Sequence, residues 1–165
     1  MLGPRQVGKT TLVRKLAESI SLSFLYLNGD EASVQNALTE TSISFLKSYL
    51  GQSKVVVLDE AQRIPTIGLA LKLIVDNFTD IQLIVTGSSA LELSNSINEP
   101  LTGRKWEYKM YPLSWMEISH FLGMPEALGS LDTYLVFVTY PEVVTQKGDE
   151  IPVLTNLATS YLYKV

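Results

Sequence analysis

Gly3-Pro4-Arg5-Gln6-Val7-Gly8-Lys9-Thr10 fits the pattern G-x-x-x-x-G-K-[ST] at every fixed position. Two glycines let a backbone fold tightly around an anion, so that successive N–H groups point inward. Lys9 adds a point charge for β- and γ-phosphates, and the Thr10 hydroxyl can hold Mg²⁺ beside them. Thr11 closes the run. Downstream, Val55-Val56-Val57-Leu58 delivers Asp59 and Glu60 at the C-terminal end of an apolar stretch. Open α/β sheets bind ligands at that end of their strands. An aspartate there is a hard oxygen ligand for Mg²⁺, and a glutamate beside it can orient and deprotonate water. A third element, Thr86-Gly87-Ser88-Ser89, follows another apolar run. Two readings stand for it: a hydroxyl touching the γ-phosphate or the attacking water, and a helix N-cap before Ala90-Leu91-Glu92.

These residues need a scaffold, and the apolar spacing supplies one. Leu12, Val13, Leu16, Ala17 and Ile20 form a helical stripe over Lys9–Ile20, which places the loop at a helix N-terminus, where the dipole favours phosphate. Phe24–Asn28 reads as a short strand, and 31–50 as one helical segment. Lys54–Leu58 reads as a strand apolar throughout, hence buried on both faces, and Ile81–Val85 as another buried strand. Pro65 suits the first turn of the intervening helix, which offers Ile67, Leu71, Ile74, Val75 and Phe78 for packing. A short helix follows Ser89, then Trp106–Met110 as the last strand of the layer. Strands alternating with helices imply an α/β fold with a parallel sheet. The character changes near residue 112. Ser114–Leu122 is an amphipathic helix with Ser114 as N-cap, 123–130 a loop, and Asp132–Val138 and Pro152–Tyr163 helical. The organisation is a core over 1–112 and a helical extension over 113–165. Only Met1 and Leu2 precede Gly3, so the strand that should aim the loop is missing and the chain starts one strand too late.

Composition narrows the alternatives. The 165 residues carry a net charge of −4, which gives no overall basic footprint for nucleic acid. Absence of cysteine excludes disulfides and thiolate zinc sites, and His120 as the one histidine argues against a Ser-His-Asp triad. No apolar run reaches a membrane span, and no signal peptide precedes the loop. A cytoplasmic location, where ATP is available, is expected.

In order, GPRQVGKTTL, VVVLDEAQRI, IVTGSSALEL, LTGR, YPLSWMEI and YPEVV resemble the AAA-type P-loop ATPases of bacteria and archaea that carry a C-terminal domain of unknown function. The resemblance covers nearly the whole chain. It implies a P-loop NTPase sheet of order 5-1-4-3-2 and Mg-dependent ATP hydrolysis that drives an attached domain or an unknown protein partner. It places Gly3–Thr11 around the phosphates, Asp59 with Thr10 on Mg²⁺, Glu60 as catalytic base, and Ser88 or Thr86 as sensor. Arg104 stands where an arginine of such ATPases reaches a neighbour's nucleotide, which would make the protein a homo-oligomer. The other reading of Arg104 is a surface arginine, or one paired with an acid of its own subunit. Compared with that family both ends of the chain look cut, which bears on how well it binds nucleotide and not on the resemblance. Three rival readings are a helicase, suggested by Asp59-Glu60-Ala61-Gln62 but needing a second core domain, a nucleotide switch with negligible hydrolysis, and an inactive fragment.

Overall fold

The computed structural model describes residues 1–20, 22–39, 41–88 and 101–162, with side chains through residue 159. These gather into two compact units, Met1–Gly3 with Lys9–Lys109, and Pro4–Gly8 with Met110–Val165.

The first unit is built on three parallel strands in the order β1 (Phe24–Asn28), β2 (Val55–Asp59), β3 (Gln82–Val85). In register, Asn28 faces Asp59 and Leu58 faces Val85. All five residues of β2 are buried. Alternation sends Val56 and Leu58 into a core with Val34 and Leu38 of α2 (Ala32–Thr39), Leu46 and Leu50 of α3 (Ile43–Leu50), and Ile67, Leu71 and Ile74 of α4 (Ile67–Asn77). Val55 and Val57 pack on the other face against Val13 of α1 (Lys9–Ser19). Covering a central strand on both faces explains its unbroken apolar run, and each such side chain contributes about 1.5–3 kcal/mol of transfer free energy.

The sheet continues past β3 as a stub. Leu2 makes parallel bridges with Gly87 on one side and Lys109 on the other. The Met1 ammonium donates to the Val85 carbonyl at 2.6 Å, Gly87 N–H donates to the Met1 carbonyl at 3.1 Å, and Leu2 N–H donates to the Tyr108 carbonyl at 2.8 Å. Taken through these two bridges, the order β1-β2-β3-Leu2-Lys109 matches the expected 5-1-4-3-2, with three strands formed and the other two positions held by single bridges.

Several expected elements are corrected. Residues 31–50 form two helices, because Ser42 starts a new one by accepting from Phe45 N–H. Pro65 precedes its helix, whose N-cap is Thr66 in the left-handed region. Trp106–Met110 is no strand: only Lys109 pairs, and Trp106 is 88% exposed, so it is not core. The helix expected after Ser89 lies outside the described residues.

The second unit is helical. Ser114 caps α5 (Trp115–Leu122) with a complete capping box, in which Glu117 answers its backbone N–H at 2.8 Å. Hydrogen bonds from the Ser114 side chain and backbone hold the Glu117 carboxyl below its ordinary value. Instead of a loop, Met124–Gly129 is helical (α6), with Pro125 in its first turn. Helices α7 (Leu131–Phe137), α8 (Pro141–Thr145) and α9 (Glu150–Leu162) follow. Ile118, Ala127, Tyr134 and Val144 form their core. The short α8 has no counterpart in the sequence reading, since five residues show no helical period.

Candidate functional site

Asp59 ends β2 at 3% exposure and is held from three elements. Thr10 Oγ1, at the start of α1, donates to Asp59 Oδ2 at 2.7 Å. Tyr26 Oη, on β1, donates to the same oxygen at 2.6 Å. Thr86 Oγ1, just past β3, donates to Oδ1. Burial pushes the Asp59 carboxyl up, but these donors and the Glu60 backbone outweigh it and hold the pKa below the usual aspartate value. The group is therefore an anion at neutral pH, as a cation ligand must be. Tyr26 moves the opposite way, raised by burial and then by its bond to Asp59. Arg14 lies over its ring, 4.7 Å from the centroid.

Thr86 is fully buried and uses its hydroxyl twice, donating to Asp59 and accepting from Glu60 N–H at 3.3 Å. Of the two sensor candidates, Thr86 is thus committed to orienting the acidic pair, while Ser88 is half-buried and takes a hydrogen bond from Gln62 Nε2 at 2.9 Å. The same Gln62 nitrogen donates to Glu60 Oε2. Glu60 adopts φ 51°, ψ 41°, a left-handed conformation uncommon for a residue with Cβ. Ala61 N–H donates to the Thr86 carbonyl at 3.0 Å, which fastens this bend to the end of β3. Gly29 is required on the other side: a Cβ there would meet the Glu60 carbonyl oxygen at 2.4 Å.

The loop itself runs through left-handed backbone at Gln6 (φ 60°) and Gly8 (φ 91°). Of its residues, Gly3, Lys9 and Thr10 belong to the unit that carries Asp59, whereas Pro4, Arg5, Gln6, Val7 and Gly8 group with the second unit. Lys9 is 5% exposed, and its Nζ donates to the Gly3 carbonyl at 2.9 Å. Thr11 follows on α1 and is exposed.

Thr10 and Asp59 are adjacent hard oxygen donors, and the Thr10 hydroxyl keeps lone pairs after donating its proton. That set fits Mg²⁺, which takes one or two protein oxygens and fills its octahedron with water and phosphate. Among the described residues no cluster of three His, Cys, Asp or Glu could form a protein cage.

Arg104 is taken up by Asp76 of α4 in its own unit, the pairing that was one of its two sequence readings. Any action on a neighbouring chain starts by breaking that pair. Tyr26 is assigned no role by the sequence, and Gln62 enters there only as part of Asp59-Glu60-Ala61-Gln62. Tyr26 lies two residues before Asn28, the β1 partner of Asp59, a placement that only the strand register makes visible.

A family model described as an AAA domain matches residues 1–119. Two curated proteins, both described as uncharacterized, are 30% identical over 106 residues, one from Mycobacterium bovis and one from Mycobacterium tuberculosis. The match takes 63% of this chain and spans 22% of the length of each relative. Among solved structures, the ORC2 protein of Aeropyrum pernix, determined as ADPNP–ADP complexes, is similar at 20% identity and a TM-score of 0.48, over 79% of this chain and 45% of that one. Among the described residues no helix is long and apolar enough to cross a membrane.

Proposed function

The chain belongs to the AAA domain family, and from that premise we propose that it binds ATP with Mg²⁺ and hydrolyses the β–γ phosphoanhydride. The observation that carries the reading is the Thr10–Asp59 hydrogen bond of 2.7 Å, which brings the loop's last residue to the acidic strand end. Lys9 and the backbone N–H groups of 3–10 hold the phosphates. Thr10 and Asp59 hold the cation, which when bound neutralises charge on the β- and γ-phosphates. Glu60 accepts a proton from the attacking water, and Ser88 meets the γ-phosphate or that water. The motion such a cycle produces falls on an attached domain or a partner.

Calorimetric titration with Mg²⁺ and a non-hydrolysable ATP analogue tests the binding step. Lys9→Ala is expected to weaken affinity by about ten- to a hundredfold, the scale of one charge-assisted hydrogen bond of roughly 1.5–3 kcal/mol. Equal affinity in the two proteins removes Lys9 from the site.

If Arg104 takes part it does so in trans, since it stands before the 106–110 segment and away from its own loop, and it must first leave Asp76, which holds it within its own chain. Mixing Arg104→Ala with Lys9→Ala chains should then recover part of the lost activity, since some interfaces pair an intact loop with an intact arginine. Mixed oligomers that form and stay as inactive as either parent would remove the arginine from the mechanism.

A further inference from the structure

We propose that Gln62 is a positioning residue that ties the Glu60 carboxylate to the Ser88 hydroxyl, so that whatever contacts Ser88 also sets where Glu60 points. The tie rests on the hydrolytic reading above for its purpose, but not for its existence. Gln62 Nε2 donates to Glu60 Oε2 and, at 2.9 Å, to Ser88 Oγ. A primary amide has two N–H bonds, and here both are used. The carboxylate also decides which way the amide faces, since the reversed orientation would set the Gln62 oxygen against an anionic oxygen.

The three residues come from three places: the end of β2, the segment after β3, and the 3₁₀ turn Ala61–Arg63 between β2 and α4. That turn is a firm base. Ala61 is buried and donates its N–H to the Thr86 carbonyl at 3.0 Å. Arg63 N–H donates to the Glu60 carbonyl at 3.0 Å, and Ile64 N–H to the Ala61 carbonyl at 3.1 Å. The Arg63 side chain pairs with Asp30 at 3.1 Å. With its backbone fixed, the amide has little freedom beyond its own χ angles. Shifting either end therefore shifts the other. Gln62 Oε1 is buried with no hydrogen-bond partner among the described residues. A buried acceptor without a donor is costly, and a water or ligand hydrogen arriving there relieves it. The amide is thus neutral, fixed and short of one donor, a suitable relay between a γ-phosphate contact and a general base.

The Gln62 side-chain amide is directly visible in ¹⁵N–¹H spectra, where Gln62→Leu identifies it by loss of its two signals. Ser88→Ala and Glu60→Ala should each displace those signals, and so should Mg²⁺ with a non-hydrolysable ATP analogue. In single-turnover hydrolysis, Gln62→Leu should lower the rate by about 10- to 100-fold, the scale of an ångström-sized misplacement, with analogue affinity within about twofold of wild type. Ser88→Ala should cost a similar factor, and the double variant no more than the larger single loss, because both cut one tie. Signals that stay put in Ser88→Ala or Glu60→Ala, or losses that multiply, overturn the proposal. Displaced signals in a wild-type protein that turns over no ATP would support the tie and overturn hydrolysis. Unmoved signals in an active enzyme would overturn the tie alone.

Discussion

Glu60→Gln is expected to lower ATP turnover by about 10²–10⁴-fold while Mg·ATP remains bound, the range a general base supplies. The substitution keeps the shape of the side chain and one oxygen that can still accept from Gln62 Nε2, while removing its ability to take a proton. Its local surroundings favour a clean result. Glu60 N–H stays on Thr86 Oγ1, and the left-handed backbone at φ 51° is fixed by the Ala61–Thr86 bond rather than by the carboxylate. Asp59, the proposed cation ligand, keeps its donors from Thr10, Tyr26 and Thr86. Binding and chemistry should therefore separate in one variant. Rapid-quench measurement of product beside calorimetric titration reads both. Turnover at the wild-type rate would move the base to another residue, and lost binding would make Glu60 part of the cation site.

The same residues mark what a sequence can disclose. Phosphate and cation chemistry demands particular side chains at fixed local spacing, so Gly3 to Thr10 and Asp59-Glu60 stand out without any structure. Ser114 with Glu117 is legible for the same reason, because a capping box is a local pattern. Tyr26 is different. It reaches Asp59 only because β1 and β2 pair in parallel with Asn28 opposite Asp59, and pairing register is a long-range property. Thr86 shares its candidacy with Ser88 in the sequence, and its burial and bond to Asp59 come from neighbours distant along the chain. Helix α6 was hidden between Gly123 and Gly129, two residues that punctuate loops and helix ends alike. Residues 106–110 carry the alternation of a strand, but among the described residues their backbone pairs with Leu2, through the Lys109 bridge and the Tyr108 carbonyl, which is too little to make one.

That last geometry leads to the second large effect. Joining an apolar pentapeptide ahead of Met1 is expected to raise the thermal midpoint clearly. Beside the stub formed by Met1 and Leu2 lies a cavity of about 630 Å³. Leu83 of β3, Leu16 of α1, Leu71 and Val75 of α4, and Trp106 are among its walls. The edge of β3 from Gln82 to Ile84 borders it, so backbone groups there lie beside open space. An extended segment continuing the Met1–Leu2 ladder would pair with that edge and bury its side chains on both sheet faces. Each fully buried valine- or leucine-sized side chain contributes about 1.5–3 kcal/mol. Ordering each residue costs about 1–2 kcal/mol, which takes back part of the gain. The remainder is still weighed against a total stability of only about 5–15 kcal/mol. Each net kcal/mol moves the midpoint of a domain this size by about 2–4 °C. The extension also replaces a charged terminus with a neutral peptide N–H. Burial now lowers the pKa of the Met1 ammonium, against the attraction of Glu107 and with the repulsion of Lys105 and Lys9. An amide N–H can keep the bond to the Val85 carbonyl without that desolvation cost. A glycine–serine pentapeptide of equal length is the control, since it extends the chain but has nothing to bury. Scanning calorimetry on both should show a shift for the apolar segment alone, together with changed fluorescence from Trp106 as its exposed ring is covered. Equal midpoints for the two extensions would mean that the cavity does not accept a strand.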